Sequence, residues 1–225
     1  MIQAVFLDAA GTLIHPSKKV GHGYAEVAAR FGLNLDPVRV EAAFGEAWRS
    51  TSPPDYSQGP STDDDRGWWK KIVSFVLGRC HHSPVEAALE GEIFSAIYSH
   101  YAQPEAWTVF PEVQDVLEEI AKRGLPMVIV SNFDPRLRGI LSGHHLDHYF
   151  QDLVISSEIG SYKPDGGIFR KAGELVGIPP SSCLHVGDNP VADLRGAHSA
   201  GLQALLLDRP EKGLEEIFKH PNFPT

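Results

Sequence analysis

Cysteine is scarce in this sequence. Cys80 and Cys183 are the only two in 225 residues. Two cannot build a disulfide framework, and neither stands in a metal-spaced pair. A reducing, cytoplasmic setting is therefore expected. Basic clusters are lacking too, and the formal net charge is -9. A nucleic-acid binder would show a basic stripe, so nucleic acid is not an expected partner. No apolar run approaches the ~20 residues that cross a bilayer, so no membrane partner is expected. The opening Met1–Leu7 stretch has no basic start and is cut short by Asp8, which does not suit a secretory signal. Internal repeats and low-complexity tracts are absent, which excludes solenoids. Acidic balance does not exclude a phosphorylated small molecule, because a metal and local donors can offset the charge.

What is present reads as an α/β core. Ala4 to Leu7, Met127 to Val130, Leu153 to Ile155, Leu184 to Val186 and Ala204 to Leu207 are short, near-continuous apolar runs. That is the pattern of parallel strands covered by helices on both faces. Helical segments alternate with the later strands. Pro111 to Arg123 carries Val113, Val116, Leu117 and Ile120 at helical spacing and stops at Gly124. Phe169 to Val176 stops at Gly177, and Pro190 to Ala200 stops at Gly201. The alternation predicts a doubly wound parallel sheet.

Residues 15–107 break the alternation. They read as four helices: Tyr24 to Phe31, Pro37 to Trp48, Asp65 to Leu77 and Pro84 to Tyr101. Ser83-Pro84-Glu86 suggests a capping box, and Asp63-Asp64-Asp65 an acidic first turn. The Pro/Gly-rich stretch Thr51 to Pro60 reads as a break between helices. The expected division is an α/β core of residues 1–14 and 108–225, with a helical insertion at 15–107.

Ligands of open parallel sheets bind beyond the carboxyl ends of the strands. Asp8-Ala9-Ala10-Gly11-Thr12, Ser131-Asn132, Lys163-Pro164 and Gly187-Asp188-Asn189, with Asp193 beyond, all fall there. Singly, each reads as a turn, a cap or a surface residue. Together they put carboxylates, a hydroxyl and a lysine at one edge of one sheet. Two carboxylates with a backbone carbonyl and waters form a hard-oxygen site suited to Mg²⁺. A carboxylate nucleophile would form a covalent intermediate that water then cleaves. Ser131 and Lys163 can bind phosphoryl oxygens as charge develops.

These motifs, in this order, resemble the haloacid dehalogenase superfamily. They are Asp8-Ala9-Ala10-Gly11-Thr12-Leu13, Val130-Ser131-Asn132, Lys163-Pro164-Asp165, and Gly187-Asp188-Asn189 with Asp193-Leu194-Arg195-Gly196-Ala197. The helical insertion after the first motif is similar to that family's cap. Ser131 to Leu137 and Ser157 to Asp165 resemble the branch named after a rhythmically expressed fly gene. The resemblance implies an Mg²⁺-dependent phosphatase acting on a small phosphorylated metabolite. It implies Asp8 as nucleophile and metal ligand, and Lys163 as the group steadying nucleophile and phosphoryl charge. Ser131 and Asn132 would bind the transferring group. The Ala10 carbonyl, Asp188 and Asp193 would serve the metal, Asp193 directly or as support.

One position departs from the pattern. Phosphatases of this family usually carry a second Asp two residues after the nucleophile, which protonates the leaving oxygen; here it is Ala10. Acid–base catalysis contributes about 10²–10⁴-fold, so poor leaving groups should suffer. His15 is a candidate replacement donor. Phosphonoacetaldehyde hydrolases also have Ala there, but need a cap lysine, for which Lys18, Lys19, Lys70 and Lys71 are available. Dehalogenases need no leaving-group proton, but carry an early arginine, and the first here is Arg30. A ligand-binding or regulatory protein with reduced catalysis is the remaining alternative. Trp68, Trp69, Phe75, Phe94, Tyr98 and Tyr101 read as core filling of the insertion. The pairs His81-His82 and His144-His145 read as surface or capping histidines.

Overall fold

The structure, a computed structural model, describes residues 1–81 and 83–224. His82 of the first histidine pair lies outside the described residues. The chain forms two compact units: Met1–His15, Tyr56–Ser61 and Thr108–Thr225 in one, Pro16–Asp55 and Thr62–Trp107 in the other.

In chain order the elements are β1 Ala4–Leu7, β2 Ile14–Pro16, α1 Val20–Ala29, α2 Pro37–Ser50, α3 Arg66–Cys80, α4 Ala87–His100 and β3 Trp107–Val109. Then come α5 Val113–Lys122, β4 Met127–Ser131, α6 Arg136–Gly143, β5 Asp152–Ile155, α7 Ser156–Ile159, α8 Gly166–Val176, β6 Cys183–Gly187, α9 Gly196–Ser199 and β7 Gln203–Leu206.

The first unit is built on a five-stranded sheet of order β5-β4-β1-β6-β7. Every pairing is parallel, with Leu7 opposite Ile129 on one side and Val186 on the other. Strand β1 is wholly buried, as its unbroken Ala-Val-Phe-Leu run requires of a strand covered on both faces. Ala4, Phe6, Val128, Val130, Val154, Ile168, Phe169 and Ala172 form one contiguous part of the core. After β1 the chain runs to β4 and β5 on one side, then returns to β6 and β7 on the other. The switch in direction thus falls at β1, where open α/β sheets hold their ligands.

The helix expected from Pro190 to Ala200 is divided. Pro190–Arg195 forms a π-helical turn, and an α-helix follows only at Gly196. Asn189 Oδ1 starts that turn by accepting from Val191 N and Ala192 N, each at 2.9 Å. Gly196 lies so close to the next loop that a Cβ would stand 2.9 Å from Pro164 Cα.

The second unit is the helical insertion, α1 to α4 around Tyr24, Val27, Val40, Ile72, Val76, Leu77, Ile93 and Ile97. Trp68, Trp69, Phe75 and Tyr101 pack against that core half-buried, while Phe94 and Tyr98 are buried in it. Helix α4 begins later than its capping-box pattern predicts, since Glu86 at the N-cap makes no side-chain cap bond. The three aspartates precede α3 rather than form its first turn. Asp64 and Asp65 are left-handed (φ 54° and 56°), and Asp63 Oδ2 accepts from Gly67 N at 2.8 Å.

Residues 56–61 fall inside the stretch expected to be insertion, yet cluster with the α/β unit. Ser61 N donates to Ser157 O at 2.8 Å. Gly160, at φ 68°, lies so close to Gly59 that a Cβ there would stand 2.8 Å from its carbonyl carbon. Tyr56 packs edge-on against Tyr162. No helix among the described residues is long and apolar enough to cross a membrane.

Candidate active site

The site is assembled from backbone turns at the carboxyl edge of the sheet. Asp8 extends β1 by one residue, its N donating to Val186 O at 3.0 Å. The chain then turns: Ala9 O accepts from Leu13 N at 2.8 Å and Ile14 N at 3.0 Å. Gly11 makes the turn possible, with φ 93° and a position where a Cβ would run into the Asp188 carboxylate. Thr12, fully buried, reaches back through Oγ1 to Asp8 Oδ2 at 3.3 Å.

Asp8 Oδ1 has two further donors. Ser131 Oγ, from the last residue of β4, stands at 3.2 Å. Lys163 Nζ stands at 2.6 Å, and donates equally closely to Asp193 Oδ1. Asp193 sits on the π-helical turn and is committed on both oxygens: Oδ1 also meets His185 Nε2 at 2.9 Å, and Oδ2 accepts from Asn189 N at 2.9 Å. Asp188 is the exposed carboxylate of the group.

Asp8, Asp188 and Asp193 bring one ligand oxygen each within 4.8 Å of one another. One ammonium, Lys163, touches two of them. Burial raises the pKa of Asp8, and the charges of Asp193 and Asp188 add to that rise against the pull of Lys163. Burial works against the ammonium of Lys163, yet Asp8 and Asp193 more than offset it and raise its pKa. Burial alone would raise Asp193 as well, but Lys163 and His185 hold it well below the usual carboxylate range. Asp188 is raised by burial and by Asp193, partly offset by its own backbone, Lys163 and Arg209. Burial lowers the pKa of His185, whose Nε2 meets Asp193 Oδ1. Its Nδ1 has no hydrogen-bond partner among the described residues. The cluster is thus short of positive charge, and its donors are hard oxygens. Both properties fit a small divalent cation such as Mg²⁺.

Of the residues singled out in the sequence, Asp8, Ser131, Lys163, Asp188 and Asp193 meet here. Asn132 instead grips the backbone of Lys163. Its Oδ1 accepts from Lys163 N at 2.6 Å and its Nδ2 donates to Lys163 O at 2.9 Å. Ala10 is half-buried in the turn, bridging to Ile14. His15 packs its ring on Phe110, centroids 4.6 Å apart. Lys18 pairs with Glu26 at 2.7 Å within the insertion.

Sequence reasoning missed two groups. His185 hides inside an apolar strand, between Leu184 and Val186. Arg209 follows β7 in a charged, Pro-containing stretch. Its Nη2 donates to Thr12 O at 2.6 Å, its Nη1 pairs with Glu112, and its guanidinium lies 3.8 Å from the Phe110 ring centroid.

Comparison with known proteins agrees with the geometry. The profile of the haloacid dehalogenase-like hydrolases matches residues 2–201. The chain is 36% identical over 213 residues to the haloacid dehalogenase-like hydrolase domain-containing protein 3 of Danio rerio, covering 93% of this chain and 86% of that one. It is 27% identical over 217 residues to the rhythmically expressed gene 2 protein of Drosophila melanogaster, covering 90% and 82%. Among solved structures, a HAD phosphatase from Thermococcus onnurineus shares the fold with a TM-score of 0.67 at 19% identity, covering 97% of each chain.

Proposed function

The chain belongs to the haloacid dehalogenase-like hydrolases, and from that premise we propose that it is an Mg²⁺-dependent phosphatase of small phosphorylated metabolites with good leaving groups. The observation that carries the reading is the carboxylate of Asp8, oriented at Oδ1 by Lys163 and Ser131 and at Oδ2 by Thr12. Asp8 attacks phosphorus, its oxygen forming the new O–P bond as the bond to the leaving oxygen breaks. Water then attacks the aspartyl-phosphate, releasing phosphate and restoring Asp8. Lys163 and Ser131 lie where the phosphoryl oxygens gather charge. Asp8, Asp188 and the Ala10 carbonyl would hold the cation, which when bound supplies positive charge against an anionic substrate. Asp193 acts as support, because Lys163, His185 and Asn189 N already occupy its oxygens.

Ala10 sets the limit on substrates. Without a carboxyl group there, a leaving alkoxide has no built-in proton donor. Acyl and aryl phosphates, which leave as stabilised anions, avoid that need. The same residue favours a second reading, cleavage of a carbon–halogen bond, since halide leaves without a proton. The crowded carboxylates argue against it, because a metal-free displacement has no use for them. The two buried free cysteines suit a reducing, cytoplasmic setting.

A panel of acyl, aryl and alkyl phosphates, phosphonoacetaldehyde and 2-haloacids, with and without Mg²⁺, tests the reading. Mg²⁺-dependent release of phosphate that Asp8→Asn abolishes is expected. Turnover indifferent to Asp8, or confined to haloacids, would overturn it.

A further inference from the structure

We propose that Arg209 is a positioning residue for Asp8, acting through Thr12. The inference deepens the phosphatase reading and rests on it for its kinetic consequence. Arg209 is 11% exposed at its side chain and is held on three sides. Nη1 pairs with the Glu112 carboxylate, whose Oε1 also accepts from Leu214 N at 3.0 Å. Nη2 donates to Thr12 O at 2.6 Å. The guanidinium lies over Phe110, whose own N donates to Leu13 O at 3.1 Å. Glu112 and Phe110 stand at the start of α5, so Arg209 ties three chain segments together at the turn that follows the nucleophile.

Thr12 is the link to chemistry. Its carbonyl is gripped by Arg209, and its hydroxyl reaches Asp8 Oδ2. Asp8 Oδ1 has two donors, whereas Oδ2 has only Thr12 among the described residues. The twist of the carboxylate about its Cβ–Cγ bond is therefore set at one end by Lys163 and Ser131, and at the other by Thr12. Fixing the Thr12 carbonyl fixes that second end. A lysine could keep the ion pair with Glu112, but it cannot serve Glu112, the carbonyl and the ring face at once, because only guanidinium is a flat, forked donor.

The experiment compares wild type, Arg209→Lys and Arg209→Gln, each also combined with Thr12→Val. Hydrolysis of 4-nitrophenyl phosphate with Mg²⁺, thermal melting, and crystal structures of wild type and Arg209→Lys are the readouts. Arg209→Lys is expected to melt close to wild type yet lose about tenfold or more in kcat, since small misplacements of reacting groups are costly. KM should stay within about twofold, as expected when binding is not the affected step. In the Thr12→Val background the Arg209 substitutions should cause no further loss of kcat. In the crystal, the Thr12 hydroxyl should move out of hydrogen-bond reach of Asp8. An unchanged kcat, an equal loss in both backgrounds, or a Thr12 hydroxyl still on Asp8 overturns the proposal. Should Arg209→Gln fail to fold, Arg209→Lys alone decides. Should wild type hydrolyse no phosphate, the phosphatase reading fails separately, and the Thr12–Asp8 separation in the two crystal structures decides the positioning.

Discussion

The side-chain amide of Asn132 holds the main chain of Lys163 at both of its polar groups, accepting from the N–H and donating to the carbonyl. This splints the tip of β4 to the loop that delivers the ammonium. Asn132 is exposed enough to meet solvent, and its type suggests substrate contact, yet its amide is engaged in keeping Lys163 in register. Asn132→Ala should therefore lower kcat by about tenfold while leaving KM little changed, the mark of lost orientation rather than lost binding. Steady-state kinetics on an aryl phosphate provide the check. A raised KM at constant kcat would instead assign the side chain to the substrate.

Asp8 is buried among other carboxylates, and burial raises its pKa against the pull of Lys163. Asp8→Asn keeps the shape and removes the charge. In EDTA the variant should melt above wild type, because an amide escapes the desolvation that a buried carboxylate bears. Activity is lost at the same time. Differential scanning calorimetry decides the point, and a lower melting temperature would contradict the electrostatic account.

Mg²⁺ should stabilise the folded protein by mass action, reaching about 2.7 kcal/mol at a hundredfold excess over Kd. Asp188 is the exposed carboxylate of the three and the one most open to a ligand. Asp188→Asn should flatten the dependence of melting temperature on Mg²⁺. Equal shifts in the two proteins would remove Asp188 from the metal site.

Restoring a carboxyl group at position 10 should raise alkyl phosphate hydrolysis. Ala10→Asp is expected to recover at least part of the about 10²–10⁴-fold that acid–base catalysis supplies. Rates on acyl phosphates should change far less. The ratio of kcat/KM between the two substrate types is the measurement, and an unaltered ratio would mean the leaving-group proton is not limiting.

The parallel sheet was legible because its strands are short, apolar and separated by helices with clear glycine stops at Gly124, Gly177 and Gly201. From it followed the edge where Asp8, Ser131, Lys163, Asp188 and Asp193 meet. What escaped was set by contacts distant in sequence. Arg209 and Glu112 are 97 positions apart and carry no shared pattern. His185 obeys the hydrophobic rhythm of its strand in position but not in chemistry, so only its contact with Asp193 reveals it. The three-residue strands β2 and β3 are too short for any periodicity to register. Gly196, just past the π-helical turn, lies against Pro164, a packing contact that helical spacing alone does not encode.

The segment Tyr56–Ser61 changes what kind of module the insertion is. A cassette joined only at its two ends could be exchanged between relatives by cutting near 15 and 107. Here the chain passes between the units four times, at 15/16, 55/56, 61/62 and 107/108. A chimaera made by swapping residues 16–107 wholesale would carry away the six residues that cover Gly160, Ser157 and Tyr162, and leave that part of the recipient's surface facing a foreign sequence. The insertion is thus two separate stretches, with a hexapeptide between them that packs on the core.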